Sequence, residues 1–390
     1  MKTADAIVIG AGINGAATAY NLVKRGLKRV VLIDRHLTAS GGTGKSAAIV
    51  RQHYSTEMLC RIVKRSVEIF SNFNEIVGGD PGYTGCGWAF LVPESLSDGF
   101  KRNLAMQQAL GIDTREITRD ELKAIEPRME GLGNARHIAH ERQSGYADPR
   151  TSTCAYVQRF VDLGGDLMTM TPVTGLIMEN GAIKGVRTAS GDVSSNVVVN
   201  AAGPWSHHLA QWAGIDLPIE VMREQEVVLE TRIPGGPIRT AISDAAQCVY
   251  YRPGGGSRLL FGRGFPKEYQ QVDPNHYDQD ADNSFIIEAQ ARLFGRLPSI
   301  KNAIHFHAFA SLYDVTPDWH PILGKDERVK GYYHCSGFSG HGFKIGPGIG
   351  ELMAEEIVDG KAHSVNIDPL RFSRFAAGKL VQAAYGGNRA

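Results

Sequence analysis

Residues 4–34, ADAIVIGAGINGAATAYNLVKRGLKRVVLID, decide the fold. They read as an apolar strand, a glycine turn, an amphipathic helix and a second strand. Gly10, Gly12 and Gly15 form GxGxxG, and Asp34 closes the second strand 19 residues after Gly15. Each glycine meets a physical need: a tight turn, close approach of backbone to a pyrophosphate, and close packing of helix on strand. The pyrophosphate then rests at the helix N-terminus, beside Ile13 and Asn14, where unpaired N–H groups and the macrodipole favour anions. Asp34, followed by Arg35, is placed to accept hydrogen bonds from an adenosine ribose and to repel a 2′-phosphate. The stretch predicts a dinucleotide-binding unit, and on these residues alone FAD and NAD both fit.

The next glycine-rich stretch, TASGGTGKSAAIVR (38–51), resembles a nucleoside triphosphate P-loop around Gly44-Lys45-Ser46. Ala39 stands where GxxxxGK[ST] requires glycine, and the strand ending in an acid precedes the loop instead of following it. Gly42, Thr43, Lys45 and Ser46 are therefore expected to bring backbone close to a dinucleotide. A long helix is expected over residues 47–78, burying Ile49, Met58, Ile62 and Val67. Arg51 and Tyr54, three apart, would share a face of it.

At 390 residues the chain is long enough for two domains or two interleaved lobes. Its 42 basic and 41 acidic residues form no like-charge block, which argues against nucleic acid as partner. No apolar run approaches the ~20 residues of a membrane span. The strand-like run Ala6-Ile7-Val8-Ile9 begins at once, so no signal peptide is expected. Five cysteines without a CxxC pair point to reduced thiols and a cytoplasmic location. His305 and His307 would share a strand face but lack a third ligand at metal spacing, so no metal is expected.

Further along, residues 98–127 look helical and charged. Asp148-Pro149 is a helix start feeding a strand, and Asn180-Gly181 joins two strands as a hairpin. A buried strand ends in Ala201-Ala202-Gly203, and residues 219–320 are strand-rich with a helix near 282–297. The closing segment reads as a strand, Tyr332 to Ser336, then a glycine loop, Gly337 to Gly348. Pro347 would open a helix over Ile349–Val358 that ends at Gly360. Such a loop packs flat against a planar ring, and the helix N-terminus meets negative charge.

Taken in order, GxGxxG with Asp34, NAAGPW, YDVTPDWHPILG and GFSGHGFKIGPGIGE resemble the FAD-dependent D-amino-acid oxidase and sarcosine oxidase family, over nearly the whole chain. The similarity lies nearest the monomeric sarcosine oxidases and the heterotetrameric sarcosine oxidase β-subunits. The resemblance implies an α/β fold, α+β overall. A Rossmann-like FAD-binding domain (1–85, 145–220 and 320–390) would interleave with a substrate domain on a large mixed or antiparallel β-sheet (86–144 and 221–319). It implies oxidation of the C–N bond of a small secondary or N-methyl amino acid, such as sarcosine, proline or dimethylglycine. Hydride would pass to flavin N5, and water would hydrolyse the imine. The alternatives are a primary amino acid (glycine or a D-amino acid) as substrate, or a flavin-carrying electron-transfer subunit of a multi-subunit amine dehydrogenase.

By position, Arg51 and Lys344 match the pair that holds the substrate carboxylate, and Tyr313 and Tyr54 complete the expected catalytic set. Val173 would meet the adenine through its backbone. Ala202, Gly203 and Trp205 form a turn beside the cofactor, and Gly340, His341, Gly342 and Phe343 form its C-terminal cradle with Lys344. Ser311 stands where the monomeric enzymes carry a flavin-linked cysteine, and Lys45 about where related dehydrogenases carry a flavin-linked histidine. Non-covalent FAD is therefore expected. Leu260 replaces a lysine that promotes reaction with oxygen, which points to slow oxygen use and an electron-accepting partner subunit. Gly264 replaces an active-site histidine, and Arg263 is a nearby cation placed to compensate.

Overall fold

The structure is a computed structural model, and it describes residues 2–231 and 236–386. Two sheets organise it. In the first, the strands run in the order Ile322–Lys325, Tyr332–Ser336, Val198–Asn200, Ala6–Ile9, Val30–Ile33 and Asp166–Met168. Five are parallel, and Ile322–Lys325 is an antiparallel edge. Strand Ala6–Ile9 has its sequence neighbour on one side and a strand from nearly 190 residues later on the other. Its carboxyl end is therefore a topological switch point, where open α/β sheets bind ligands.

Helix Ile13–Lys24 covers this sheet and packs on helix Gly342–Val358. The contact is close because glycines face it. A Cβ on Gly346 would lie 2.8 Å from Ile13, and one on Gly350 2.6 Å from the Ala17 backbone. The C-terminal glycines thus serve helix packing as well as the loop expected of them. The helix begins at Gly342, seven residues before the expected start, and Pro347 lies inside it. Packing overrides the poor helix propensity of glycine there. The proline removes the amide that would bond the Phe343 carbonyl, and the Gly348 N–H turns to Ser66 Oγ at 3.0 Å.

The second sheet has nine strands. Strand Glu220–Glu230 is flanked by Ile304–Val315 on one edge and by Arg258–Arg263 and Gln270–Gln271 on the other. The sheet continues through Val249–Pro253, Ala241–Asp244, Trp88–Pro93, Ala135–Glu141 and Thr114–Glu116. Strand alternation divides its faces. Val227, Leu229, Ile242, Val249, Leu259 and Phe261 form one core with Ala289 and Leu293 of helix Asn283–Phe294. The opposite face carries polar and aromatic side chains and roofs the cavity described below.

The expected start at Asp148-Pro149 is present: Asp148 caps helix Pro149–Asp162 through Thr151 N–H at 2.7 Å. The Asn180-Gly181 hairpin joins Val173–Glu179 to Ala182–Thr188. Two expected helices are corrected. Within 47–78, Ile49–Val50 is instead a strand paired with Gly145–Tyr146, and the helix begins at Glu57. Arg51 and Tyr54 therefore lie on the irregular stretch between that strand and the helix, and share no helix face. Residues 98–127 divide into helix Ser97–Ala109, strand Thr114–Glu116 and helix Arg119–Ile125. Gly111, with φ of 71°, ends the first of them. Among the described residues, no helix is long and apolar enough to cross a membrane.

Candidate active site

A cavity of about 880 Å³ opens at the switch point, under the polar face of the nine-stranded sheet. That is within the ~300–1,000 Å³ range of ligand clefts and near its upper end. Of the residues singled out from sequence, Gly10, Gly12, Ile13, Asn14, Asp34, Arg35, Gly42, Thr43, Lys45 and Ser46 line it. So do Arg51, Val173, Ala202, Gly203, Trp205, Tyr313, Gly340, Gly342, Phe343 and Lys344. Gly15, Tyr54 and His341 do not. Gly15 lies beneath the turn, where a Cβ would fall 1.9 Å from the Gly10 carbonyl oxygen. Tyr54 and His341 are buried behind the wall, Oη to Nδ1 at 3.1 Å. The expected catalytic place of Tyr54 is thus corrected to a supporting one.

The glycine turn is built for a ligand that approaches backbone. Gly10 takes φ of 108°, and a Cβ there would meet the Ala201 carbonyl oxygen at 2.3 Å. Gly12 caps the first helix without a side chain, and the Thr43 hydroxyl accepts from its first amide, Ile13 N–H, at 3.2 Å. Asn14 Nδ2 donates to the Gly342 carbonyl at 3.3 Å, so both helix N-termini converge on the cavity. Asn14 Oδ1 is buried with no hydrogen-bond partner among the described residues. Asp34 accepts from the Ala11 and His36 amides at 2.7 and 2.8 Å, which fixes its carboxylate at the cavity wall. Arg35 stacks on Trp205 at 4.1 Å, and Asn275 accepts from both side chains. These features fit a dinucleotide whose pyrophosphate lies over the first helix.

Lys45 Nζ is spent on Tyr277 Oη, Gln279 Oε1 and the Ala310 carbonyl at 3.2, 2.9 and 2.9 Å. It clasps the glycine loop to the second sheet. Deeper in, Arg51 is held by the His53 carbonyl and stacks against Tyr54 at 4.7 Å and Trp88 at 5.6 Å. Lys344, in the first turn of the C-terminal helix, reaches the Gly340 carbonyl at 3.4 Å. Burial and then the charge of Arg51 push the Lys344 ammonium well below its ordinary pKa. Two cationic side chains from distant parts of the chain thus line one cavity, with the buried Glu141 carboxyl in the field of Arg51. Tyr313 packs on Gly340, where a Cβ would come within 2.6 Å of its ring.

Sequence reasoning missed the two glutamates of the roof. Glu224 and Glu226 alternate on Glu220–Glu230, so both face the cavity. Glu226 accepts from Tyr250 Oη at 3.1 Å, and Lys267 is ion-paired with Glu224. The readings around strand Arg258–Arg263 are partly corrected. Gly264 and Ser311 line the cavity, whereas Leu260 does not. Arg263 pairs with Glu288 of the helix on the far face, because alternation turns it away.

A mostly parallel sheet with a glycine-turn dinucleotide cradle, roofed by a second sheet, is the arrangement of a dinucleotide-dependent oxidoreductase. Residues 5–356 match the family described as FAD dependent oxidoreductase (DAO), and the chain belongs to that family. It is an FAD-dependent oxidoreductase. It is 28% identical to sarcosine oxidase subunit beta of Rhodobacter capsulatus over 97% of this chain and 90% of that protein. The structure of L-proline dehydrogenase from P. horikoshii superposes with a TM-score of 0.90 at 31% identity, covering 97% of this chain and all of that one. Glycine oxidase from Geobacillus kaustophilus shares the fold, with a TM-score of 0.83 at 21% identity over 96% and 99% of the two chains.

Proposed function

We propose that this chain oxidises the C–N bond of a small secondary or N-methyl amino acid of the sarcosine, proline or dimethylglycine kind. The observation that carries this reading is the pairing of Arg51 and Lys344 in one cavity with the dinucleotide cradle. An arginine fork and an ammonium fix a carboxylate in place, and orientation of the reacting carbon follows from that anchor. Bound FAD supplies the electron acceptor for the C–H beside nitrogen. The helix N-termini near Gly12 and Gly342 stabilise negative charge on the cofactor. The 1–85, 145–220 and 320–390 segments would carry FAD, and 86–144 and 221–319 the substrate, a division supported by the two separate sheets.

The relatives named above support the amino acid class, one acting on sarcosine and one on proline by name. The relation to a sarcosine oxidase subunit beta favours an electron-accepting partner subunit. Anaerobic titration with sarcosine, L-proline, dimethylglycine, glycine and D-alanine tests the reading. Bleaching of the flavin band by a secondary or N-methyl amino acid is expected. Bleaching by glycine or D-alanine alone would replace it with the primary amino acid reading. Failure of all five favours an electron-carrying subunit.

A further inference from the structure

The roof carries an anionic counterpart to the cationic pair. A row of cross-strand neighbours runs Phe90, Ser243, Tyr250, Gly262 and Glu226. A Cβ on Gly262 would lie 2.4 Å from Tyr250 Oη, so only glycine lets that hydroxyl cross the strand to Glu226 Oε1. Glu226 is 3% exposed, and its Oε2 has no hydrogen-bond partner among the described residues although the side chain lines the cavity. Glu224, its same-face neighbour, already carries Lys267 on Oε1, although its own Oε2 also lacks a partner among the described residues. The charges acting on Glu226 are chiefly those of Glu224, Arg252 and Lys267. Arg51 acts on Lys344, and also on Glu141, His53 and His341.

We infer that Glu226 Oε2 receives the substrate's amino group, so that the ligand is a zwitterion with its carboxylate on Arg51 and Lys344 and its ammonium on Glu226. This rests on the carboxylate reading above. An unpaired buried carboxylate is costly, and an N–H donor in the cavity removes that cost. Glu226 also accepts a proton from the bound ammonium. The N–H bond breaks, an O–H bond forms on Oε2, and the nitrogen keeps the electron pair as its lone pair. That lone pair is what a carbon must have beside it to become an imine when it gives up hydride to the family's flavin. Burial and then the Glu224 charge push the Glu226 carboxyl up to about 8. The proton-accepting carboxylate is therefore populated from about neutral pH upward, and increasingly on the alkaline side.

The test is a binding measurement without turnover, read from perturbation of the flavin spectrum of the FAD-loaded enzyme. 2-Aminoisobutyrate, which has no hydrogen on its α-carbon, is compared with isobutyrate, which lacks the amine. Glu226→Gln is expected to weaken the amino ligand about 30-fold and leave isobutyrate unchanged. Tyr250→Phe, which keeps the carboxylate, is expected to lose less of the amino ligand and none of the isobutyrate. Equal losses for both ligands, or none, in a Glu226→Gln protein with an intact flavin spectrum overturn the inference. Isobutyrate failing on wild type while the amino ligand binds and responds to Glu226→Gln overturns only the carboxylate reading. Failure of both on wild type overturns both.

Discussion

The carbonyl oxygen of Gly10 lies 1.9 Å from where a Cβ on Gly15 would sit. Backbone is the obstacle, so no rotamer change relieves the clash. Gly12 is different: its virtual Cβ meets only the Thr43 hydroxyl, at 2.9 Å, and a side chain can turn away. Gly15→Ala is expected to yield protein with a lower melting temperature and little bound flavin. Gly12→Ala should fold nearly normally and lose affinity for FAD. Thermal unfolding and the flavin-to-protein absorbance ratio measure both.

Lys344→Met removes one cation of the carboxylate site. The KM for a carboxylate substrate is expected to rise about 30-fold or more, with FAD still bound. Steady-state kinetics on the amino acid that bleaches wild type decide it, and unchanged kinetics would remove Lys344 from the site.

Tyr54 supports the wall from behind. Tyr54→Phe deletes its bond to His341, and a loss of about 1 kcal/mol of stability is expected. KM should change far less than in Lys344→Met. A comparable KM increase would restore Tyr54 to direct contact with substrate.

Lys45 and Ser311 stand at the two places the resemblance marks for a flavin-linked side chain, and neither is a histidine or cysteine. Acid precipitation is therefore expected to leave a colourless pellet and free FAD in the supernatant. A yellow pellet after denaturation contradicts this.

The raised Glu226 carboxyl makes stability depend on pH. Its folded pKa of about 8 exceeds the ordinary 4.5, so between those values the unfolded chain binds fewer protons. Stability therefore falls as pH rises through that window. Glu226→Gln removes the effect. Its melting temperature should match wild type near pH 5 and exceed it by about 2–5 °C near pH 9. The same difference at both pH values would show that the carboxyl does not titrate there.

What the sequence made legible was local. Gly10, Gly12, Gly15 and Asp34 declare themselves by spacing, and Asp148-Pro149 and Asn180-Gly181 by turn chemistry. The long helix expected from residue 47 fails because Ile49–Val50 takes a partner almost a hundred residues away. The C-terminal helix starts early because Gly346 and Gly350 are selected for contact with Ile13 and Ala17, which propensity cannot register. Glu224 and Glu226 escape notice because alternating glutamates on a strand read as a face in water. Only the register with Gly262 and Tyr250 turns that face inward.

Gly262 contributes no functional group and lies one strand away from the carboxylate it serves. Its emptiness nevertheless sets how far a phenol can lean, and so which oxygen of Glu226 is left over. A methyl group there would redirect Tyr250 while leaving every ionisable side chain in place. Substrate preference in this cavity is thus open to retuning through a position that a search for chemically active residues passes over.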